Sequence, residues 1–365
     1  MKLGILGTRG IPNNYGGFEQ FAERLSVGLV ERGHEVWVYN VHNHPCRDDE
    51  WHGVKLVHCH NPENYLGVPG QFIYDLNCIR DSRRRDFDVI LQLGYTSSSV
   101  WHRLLPRKPK IVTNMDGLEW KRSKYSKPVQ RFLRFAERLA VNSSDLLVAD
   151  SEVIREYLAK TYNVAATYIP YGADIFNTPD EAGLIPFRVN PREFFLLIAR
   201  IQPDNHVEEI INGVLQSATG FPLLIIGNTL NRYGKYLEKQ YSSNTIRFLG
   251  PIFDKEILDN LRYFSNLYFH GHSSGGTNPS LLEAMAASAR ICAHDNPFNR
   301  EVLGKGAYFF ATAQQISKII RFNQDPLPAD FFIPDNIDRI TVKYDWKNII
   351  SIYEQKLNEM IRRQK

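Results

Sequence analysis

Three stretches of this 365-residue chain carry the residue types and spacing for work on an anionic, hydroxyl-bearing ligand. The first, GTRGIPNNYGGFEQFAERL from residue 7, sets Gly7, Gly10, Gly16 and Gly17 between an apolar run and a helical pattern. Glycine lets a ligand approach the main chain, and the unpaired N–H groups of a helix start attract anions. The same glycines suit a tight turn between strand and helix, and spacing alone supports both readings. They do not follow G-x-G-x-x-G, which disfavours a nicotinamide dinucleotide. The second stretch, GHSSGGTNPSLLEAMAAS from residue 271, passes through Gly275 and Gly276 into Thr277, Asn278, Pro279 and Ser280. Proline suits a first helical turn, and an anion there gains roughly 0.3–1 kcal/mol from the helix dipole. Glu283 lies further into that helix, where Leu282 and Met285 turn to the core; a carboxylate so placed needs donors, and sugar hydroxyls supply them. The third is Asp116, at the end of KIVTNM. A carboxylate at a strand end can accept from a sugar hydroxyl or act as a base, although Asp116-Gly117 also spells a turn or a cap. Glu19 and Glu119 read as surface or capping residues. His58 with His60, and His270 with His272, lack an Asp or Cys companion at metal spacing, so no metal or other cofactor is expected.

Such residues need strands that end at them. LGILG, EVWVYN, VKLVHC, DVILQLG, KIVTNMDG, LLVADS and TYIPYG read as strands of one half, several followed by amphipathic helical segments. After a turn-rich stretch from Asn177 to Pro191, FFLLIAR, PLLIIGN, TIRFLG, LYFHG and ARICAHD begin a second series. The alternation predicts an α/β protein of two doubly wound domains, residues 1–180 and 181–345, with a linker near residue 180 and ligands in a crevice outside the carboxyl ends of the strands. Trp346, Ile349, Ile350, Tyr353, Leu357 and Ile361 recur at helical spacing, so residues 346–365 read as an amphipathic helix packed on a domain, crossing back to the first.

Composition narrows the class further. Apolar residues make up 43% of the chain, and no apolar run is long enough to span a bilayer. No apolar leader follows Lys2, and the four cysteines form no CxxC pair; a cytoplasmic protein with reduced thiols is expected. The net charge of +4 disfavours a general nucleic-acid binder. From Arg80 to Arg138, however, 15 Lys or Arg stand against 6 Asp or Glu, with Trp101, Trp120, Tyr125 and Phe132 interleaved. That window reads either as a solvated face or as a surface for anionic lipid or a pyrophosphate-linked substrate.

The motifs GTRGIPNNYGGFEQFAERL, NMDGLEWKRSKY, ARIQPDNHVEEI and GGTNPSLLEAM together resemble glycosyltransferase family 4, over essentially the whole chain. Their wording is similar to the subgroup that includes rhamnosyltransferases of bacterial surface polysaccharide assembly. The resemblance implies the GT-B fold, two Rossmann-like domains facing a central cleft, with an N-terminal acceptor domain and a C-terminal nucleotide-sugar domain. It implies that Gly16 and Gly17 let the donor lie against the backbone, and that Arg200 binds the leaving diphosphate. Asn205 stands where relatives carry a lysine, which removes one positive charge. Glu283 matches the glutamate that binds the nucleotide ribose, and Gly275 stands where relatives carry a glutamate on the donor sugar. Gly250, Pro251 and Ile252 match the loop that receives the base, while Asp116 stands where many relatives have a histidine facing the sugar.

The resemblance therefore implies a retaining transferase, with Asp116 and Arg200 as its catalytic residues and no bound metal. It would move a sugar, with L-rhamnose from TDP-rhamnose as the specific expectation, to a lipid-linked saccharide, at the inner face of the cell membrane. Two other classes fit parts of the same residues. A non-catalytic nucleotide-sugar binding protein accounts for the replaced lysine and glutamate, and a sugar-nucleotide epimerase shares the architecture but needs no acceptor.

Overall fold

The computed structural model describes residues 1–122, 124–273, 275–322 and 330–362. The chain divides into two compact units. The first holds Met1–Lys121, Tyr125–Tyr171 and the C-terminal helix from Trp346; the second holds Arg122, Lys124 and the chain from Gly172 to Asp345.

In the first unit the strands are β1 (Lys2–Leu6), β2 (Glu35–Val41), β3 (Glu50–Trp51), β4 (Val54–Cys59), β5 (Val89–Leu93), β6 (Lys110–Asn114), β7 (Leu146–Ala149) and β8 (Thr167–Tyr168). Among the described residues they form an eight-stranded sheet in the order β3-β4-β2-β1-β5-β6-β7-β8. Only the β3–β4 pair is antiparallel there. A parallel sheet is covered on both faces, which is why β5, VILQL, is buried at every position. The sequence of connections runs from β1 to one edge and then from β5 to the other. The carboxyl ends of β1 and β5 therefore flank a topological switch point, the place where such sheets receive ligands.

The helix Trp346–Arg362 belongs to this unit by its contacts with the helix Gly17–Val30. Phe21 meets the rings of Tyr171 and Tyr353 at 5.2 and 5.3 Å, and Glu354 accepts from Arg32 at 2.8 Å while lying 2.7 Å from His34 Nε2. Its apolar stripe, Trp346, Ile349, Ile350, Tyr353 and Leu357, is buried.

In the second unit β9 (Phe195–Ile198), β10 (Leu223–Ile226), β11 (Ile246–Gly250), β12 (Leu267–His270), β13 (Ile291–His294) and β14 (Tyr308–Phe310) are all parallel, in the order β11-β10-β9-β12-β13-β14. The switch point here lies between β9 and β12. Phe195, Leu197, Leu223, Ile225, Leu267 and Phe269 fill the core on one sheet face. The turn-rich stretch after Asn177 is docked in this unit: the Asp180 amide donates to Asn260 Oδ1 at 2.7 Å, and a 3-10 helix, Glu181–Phe187, packs on the helix Lys255–Phe264. It is not a free tether.

Candidate active site

Arg200 stands two residues beyond β9 with its side chain exposed at the switch point of the second unit. The turn that follows is built inward. Asn205, only 3% exposed, donates from Nδ2 to the Arg200 carbonyl at 2.7 Å. The amide expected to face the donor in place of a lysine is thus turned onto the backbone. It holds Arg200 by its main chain. Ser273 donates to the Asp204 carbonyl at 2.8 Å, which ties the turn after β9 to the loop after β12.

A second cation reaches this place from an unforeseen position. Arg122 donates from Nη1 to Asp204 Oδ2 at 2.9 Å, and both side chains are at least nine-tenths buried. Burial, together with the charges of Arg200 and Arg122, pushes His272 down to about 3. Arg122 does not replace the positive charge missing at residue 205, because Asp204 neutralises it; the pair instead fixes the turn after β9.

The helix Pro279–Ala286 begins as its local chemistry dictates. Asn278 caps it, its Oδ1 accepting from the Ser280 amide at 3.0 Å, and Pro279 occupies the first turn. The side chains around this start face the protein: Thr277 is 2% exposed, and Ser280 Oγ lies 2.8 Å from the Tyr268 hydroxyl. Gly276 is half-buried in the same turn. Gly275 has φ +131, a left-handed value that L side chains rarely adopt, and a Cβ there would meet nothing within 4 Å. A side chain at this position would enter open space.

Glu283 finds its partner inside the protein. Arg262, 1% exposed on the helix Lys255–Phe264, donates from Nη2 to Glu283 Oε2 and from Nη1 to Asp259 Oδ1 at 2.7 Å. Burial opposes the guanidinium charge, but Glu283, Tyr268 and Asp259 outweigh it, and the Arg262 pKa rises. Sugar hydroxyls are therefore not needed to satisfy that Glu283 oxygen. Arg262 fixes the carboxylate's direction. At the end of β11, Gly250 accepts from the Gly227 amide at 3.0 Å, Pro251 is exposed and Ile252 is half-buried.

In the first unit, the crowded glycines of the loop after β1 are Gly7 and Gly10. Both have positive φ, and a Cβ would come within 2.3 Å of the Leu93 carbonyl oxygen and 2.4 Å of the Asn40 side chain. Gly16 caps the helix Gly17–Val30 in an extended conformation, and a Cβ there would meet only Glu19 Oε2, at 3.5 Å. Neither crowding nor φ demands glycine at 16, so the fold alone does not account for it. Glu19 is not a surface residue. It is 4% exposed, and its Oε1 accepts from the Arg9 amide at 2.8 Å and Thr8 Oγ1 at 3.2 Å, latching the loop.

Asp116 follows β6, half-buried, with Gly117 at φ +65. The Tyr95 hydroxyl lies within hydrogen-bond distance of both the Gly117 carbonyl, 3.3 Å, and Glu137 Oε2, 3.2 Å. Glu137, 1% exposed, also accepts from Tyr157 at 2.7 Å and Tyr162 at 2.6 Å. Burial, then the charges of Asp116 and Asp150, raise the Tyr171 hydroxyl well above its ordinary value, so it stays protonated. No spacing in the sequence marks this tyrosine network.

Residues 95–174 match a family described as a domain of unknown function, DUF1972, and they contain Asp116 and the whole Glu137 network. No curated protein matches the chain. Among solved structures, it is similar to sucrose-phosphate synthase from Thermosynechococcus elongatus, at 15% identity and TM-score 0.84 over 99% of both chains. A glycosyltransferase from Rickettsia africae ESF-5 matches at 13% identity and TM-score 0.71 over 98% of both. The Anabaena protein Alr3699/HepE, in complex with UDP and glucose, matches at 16% identity and TM-score 0.78 over 98% of this chain and 99% of that one. The fold is GT-B. Arg200 follows β9 and the Pro279–Ala286 helix follows β12, the two strands that flank the second unit's switch point.

Proposed function

We propose that this protein is a retaining glycosyltransferase of the family 4 type that moves a sugar from a nucleotide donor to a saccharide hydroxyl. The observation that carries the reading is the pairing of Arg200 with the capped helix start at Asn278 across one switch point. A guanidinium complements a diphosphate leaving group, and the positive end of the Pro279–Ala286 helix dipole adds to it. The likeness to a protein solved with UDP and glucose supports a donor of this kind.

The second unit is the donor half in this reading. Glu283, aimed by Arg262, takes the ribose hydroxyls, and the main chain from Gly250 to Ile252 takes the base. The open space at Gly275 favours a sugar that is not read by a carboxylate there, and a 6-deoxyhexose, L-rhamnose from TDP-rhamnose, meets that description. The first unit is the acceptor half, with Asp116 orienting the reacting hydroxyl. The departing phosphate takes the acceptor proton while the acceptor attacks from the same face, so the configuration is retained. Catalysis is then orientation and leaving-group stabilisation rather than metal chemistry.

The acceptor is lipid-linked in this proposal, and the protein works at an anionic membrane face. No helix among the described residues is long and apolar enough to cross a membrane. The helix Lys127–Ser143 instead exposes Val129, Phe132 and Phe135 beside Lys127, Arg131, Arg134 and Arg138. Exposed aromatics interleaved with cations are what an anionic lipid surface binds.

The test is a panel of TDP- and UDP-sugars offered with lipid-linked saccharides, read by product mass and by anomeric configuration. Transfer with retention from TDP-rhamnose supports the full reading. Donor binding without transfer would make the chain a nucleotide-sugar binding protein, and conversion of the donor without acceptor would make it an epimerase.

A further inference from the structure

At the carboxyl edge of the first sheet, the loops after β1, β2 and β4 enclose a pocket of about 190 Å³ lined by Arg9, Tyr15, His44, Asn14, Asn43 and Asn64, among others. It is small against the roughly 300–1,000 Å³ of pockets for drug-sized ligands, and suits one ring rather than a chain of them. We propose that this pocket holds a single uncharged sugar ring of the acceptor, and that it discriminates against phosphorylated sugars. The assignment to the acceptor rests on the transferase reading above. The preference for a neutral ring stands on the pocket itself.

The charge inside the pocket is already cancelled. Arg9 presents both terminal nitrogens to Glu63, with Nη2 to Oε1 at 2.8 Å, and the ion pair keeps the Glu63 carboxyl below its usual range. Asn61 adds a donor to the same carboxylate at 3.4 Å. A phosphate could claim Arg9 only by leaving Glu63 half-buried without its counter-charge, which is costly. His44 adds no cation, because burial holds its pKa below the ordinary value.

What the pocket offers instead is neutral hydrogen bonding. His44 is 2% exposed, its Nδ1 lying 3.2 Å from the Cys46 amide and 3.4 Å from the Cys46 carbonyl. The Pro12 carbonyl also bonds this ring, so His44 is a fixed part of the pocket wall. Asn14, Asn43 and Asn64 stand exposed around it, their amides able to donate and accept as hydroxyls do. Tyr15 supplies the apolar wall: Arg9 covers one face at 4.2 Å from the ring centroid, yet 59% of the residue remains exposed. The C–H face of a pyranose can lie on such a ring while its hydroxyls reach the amides.

The test is saturation-transfer NMR on the full chain without any nucleotide sugar, using methyl glycosides of rhamnose, glucose, galactose and N-acetylglucosamine, with glucose 6-phosphate as the charged counterpart. We expect at least one neutral glycoside to bind, and to lose roughly three- to tenfold in affinity in both Tyr15→Ala and Asn43→Ala, the range for one lost contact. Both residues are exposed, so the variants fold. Tighter binding of glucose 6-phosphate, no glycoside binding at all, or affinities unchanged in both variants would overturn the proposal. Because no donor is present, these outcomes are independent of whether the protein transfers sugar: glycoside binding without transfer in the donor panel would leave the pocket standing and remove the transferase reading.

Discussion

Arg262 and Glu283 form an ion pair between neighbouring helices of the second unit, and the same guanidinium also binds Asp259, which is 3% exposed. Removing Arg262 would take the buried guanidinium away from Glu283 and leave Asp259 to Lys255. Loss of one partner of a buried pair costs about 3–5 kcal/mol. Arg262→Met should therefore lower the melting temperature by on the order of 10 °C in a unit of this size. Differential scanning calorimetry checks this, and an unchanged transition would mean the pair contributes little.

Donor binding separates the roles of the residues around that pair. Glu283→Gln and Arg200→Ala should each weaken nucleotide-sugar affinity by roughly ten- to a hundredfold, the range for a lost charged hydrogen bond. Arg200 is exposed, so its variant should melt like the wild type. Titration calorimetry with TDP- and UDP-sugars reads the affinities. If neither variant binds more weakly, the donor site lies elsewhere.

Acid should destabilise the second unit through its histidines. Burial pushes His272 to about 3 and His294 to about 4, and holds His270 well below its usual range. In the unfolded chain these groups titrate near 6.5, so as pH falls below about 6.5 the unfolded state takes up protons that the folded state refuses. Stability is thus present above about pH 6.5 and lost on the acid side, at on the order of 1.4 kcal/mol per pH unit for each histidine. Asp75 in the first unit, raised by burial to about 7, acts in the opposite direction: it favours the folded state in acid and loses that contribution as pH rises through 7. The comparison that isolates the histidines is His270→Phe against wild type. His270 is fully buried with neither ring nitrogen partnered, so phenylalanine should hold its place and flatten the acid slope in urea melts from pH 7.5 to 5.5. An equal slope in both proteins would exclude His270 as a source.

Most strands readable from sequence were buried on both faces, because a central parallel strand such as Phe195–Ile198 is apolar throughout; the half-buried edge strands β8 and β11 were readable from the turn residues around them. The two that escaped, β3 and β14, are edge strands of two and three residues, too short to carry a pattern. The helix start at Asn278-Pro279 was legible for a local reason, since cap and first turn are neighbours in the chain. Arg262 was not. Its spacing of three from Asp259 reads as a surface ion pair on an amphipathic helix, and its second partner, Glu283, lies 21 residues on. The sequence places Asn205 at the donor and Glu19 at the surface or a cap, because nothing in it says whether a polar side chain turns to a ligand, to solvent or to a nearby backbone group. Only the folded loops decide that.

The exposed side of the Lys127–Ser143 helix predicts salt-sensitive membrane attachment. Each basic residue near an anionic surface contributes on the order of 1 kcal/mol, and the attraction weakens within a Debye length as salt rises. Binding to vesicles containing phosphatidylglycerol should exceed binding to neutral ones, and the double variant Phe132→Ser with Phe135→Ser should reduce it. Flotation assays at low and high salt check both. Equal binding to neutral and anionic vesicles would argue against the lipid surface.

Asp116 is the first unit's contribution to the chemistry in the proposed mechanism, and its environment indicates how that contribution is controlled. The strand β6 carries it to the carboxyl edge of the sheet, and the adjoining Gly117 carbonyl is within reach of the Tyr95 hydroxyl, itself anchored on Glu137. If Asp116 orients the acceptor hydroxyl, Asp116→Asn should keep the fold and the donor affinity yet lower single-turnover transfer by about 10²–10⁴-fold. A residue that merely caps a turn would behave differently, since asparagine caps as well as aspartate and the substitution would be nearly silent. Tyr95→Phe, which leaves the carboxylate in place but removes one hydroxyl from its support, should lower the rate by a smaller factor with donor affinity unchanged. The rank order is the signature of a positioning residue behind a catalytic one. Transfer at the wild-type rate in Asp116→Asn would return the residue to the turn, and a Tyr95→Phe enzyme slower than Asp116→Asn would mean that the tyrosine network, rather than the carboxylate, carries the chemistry.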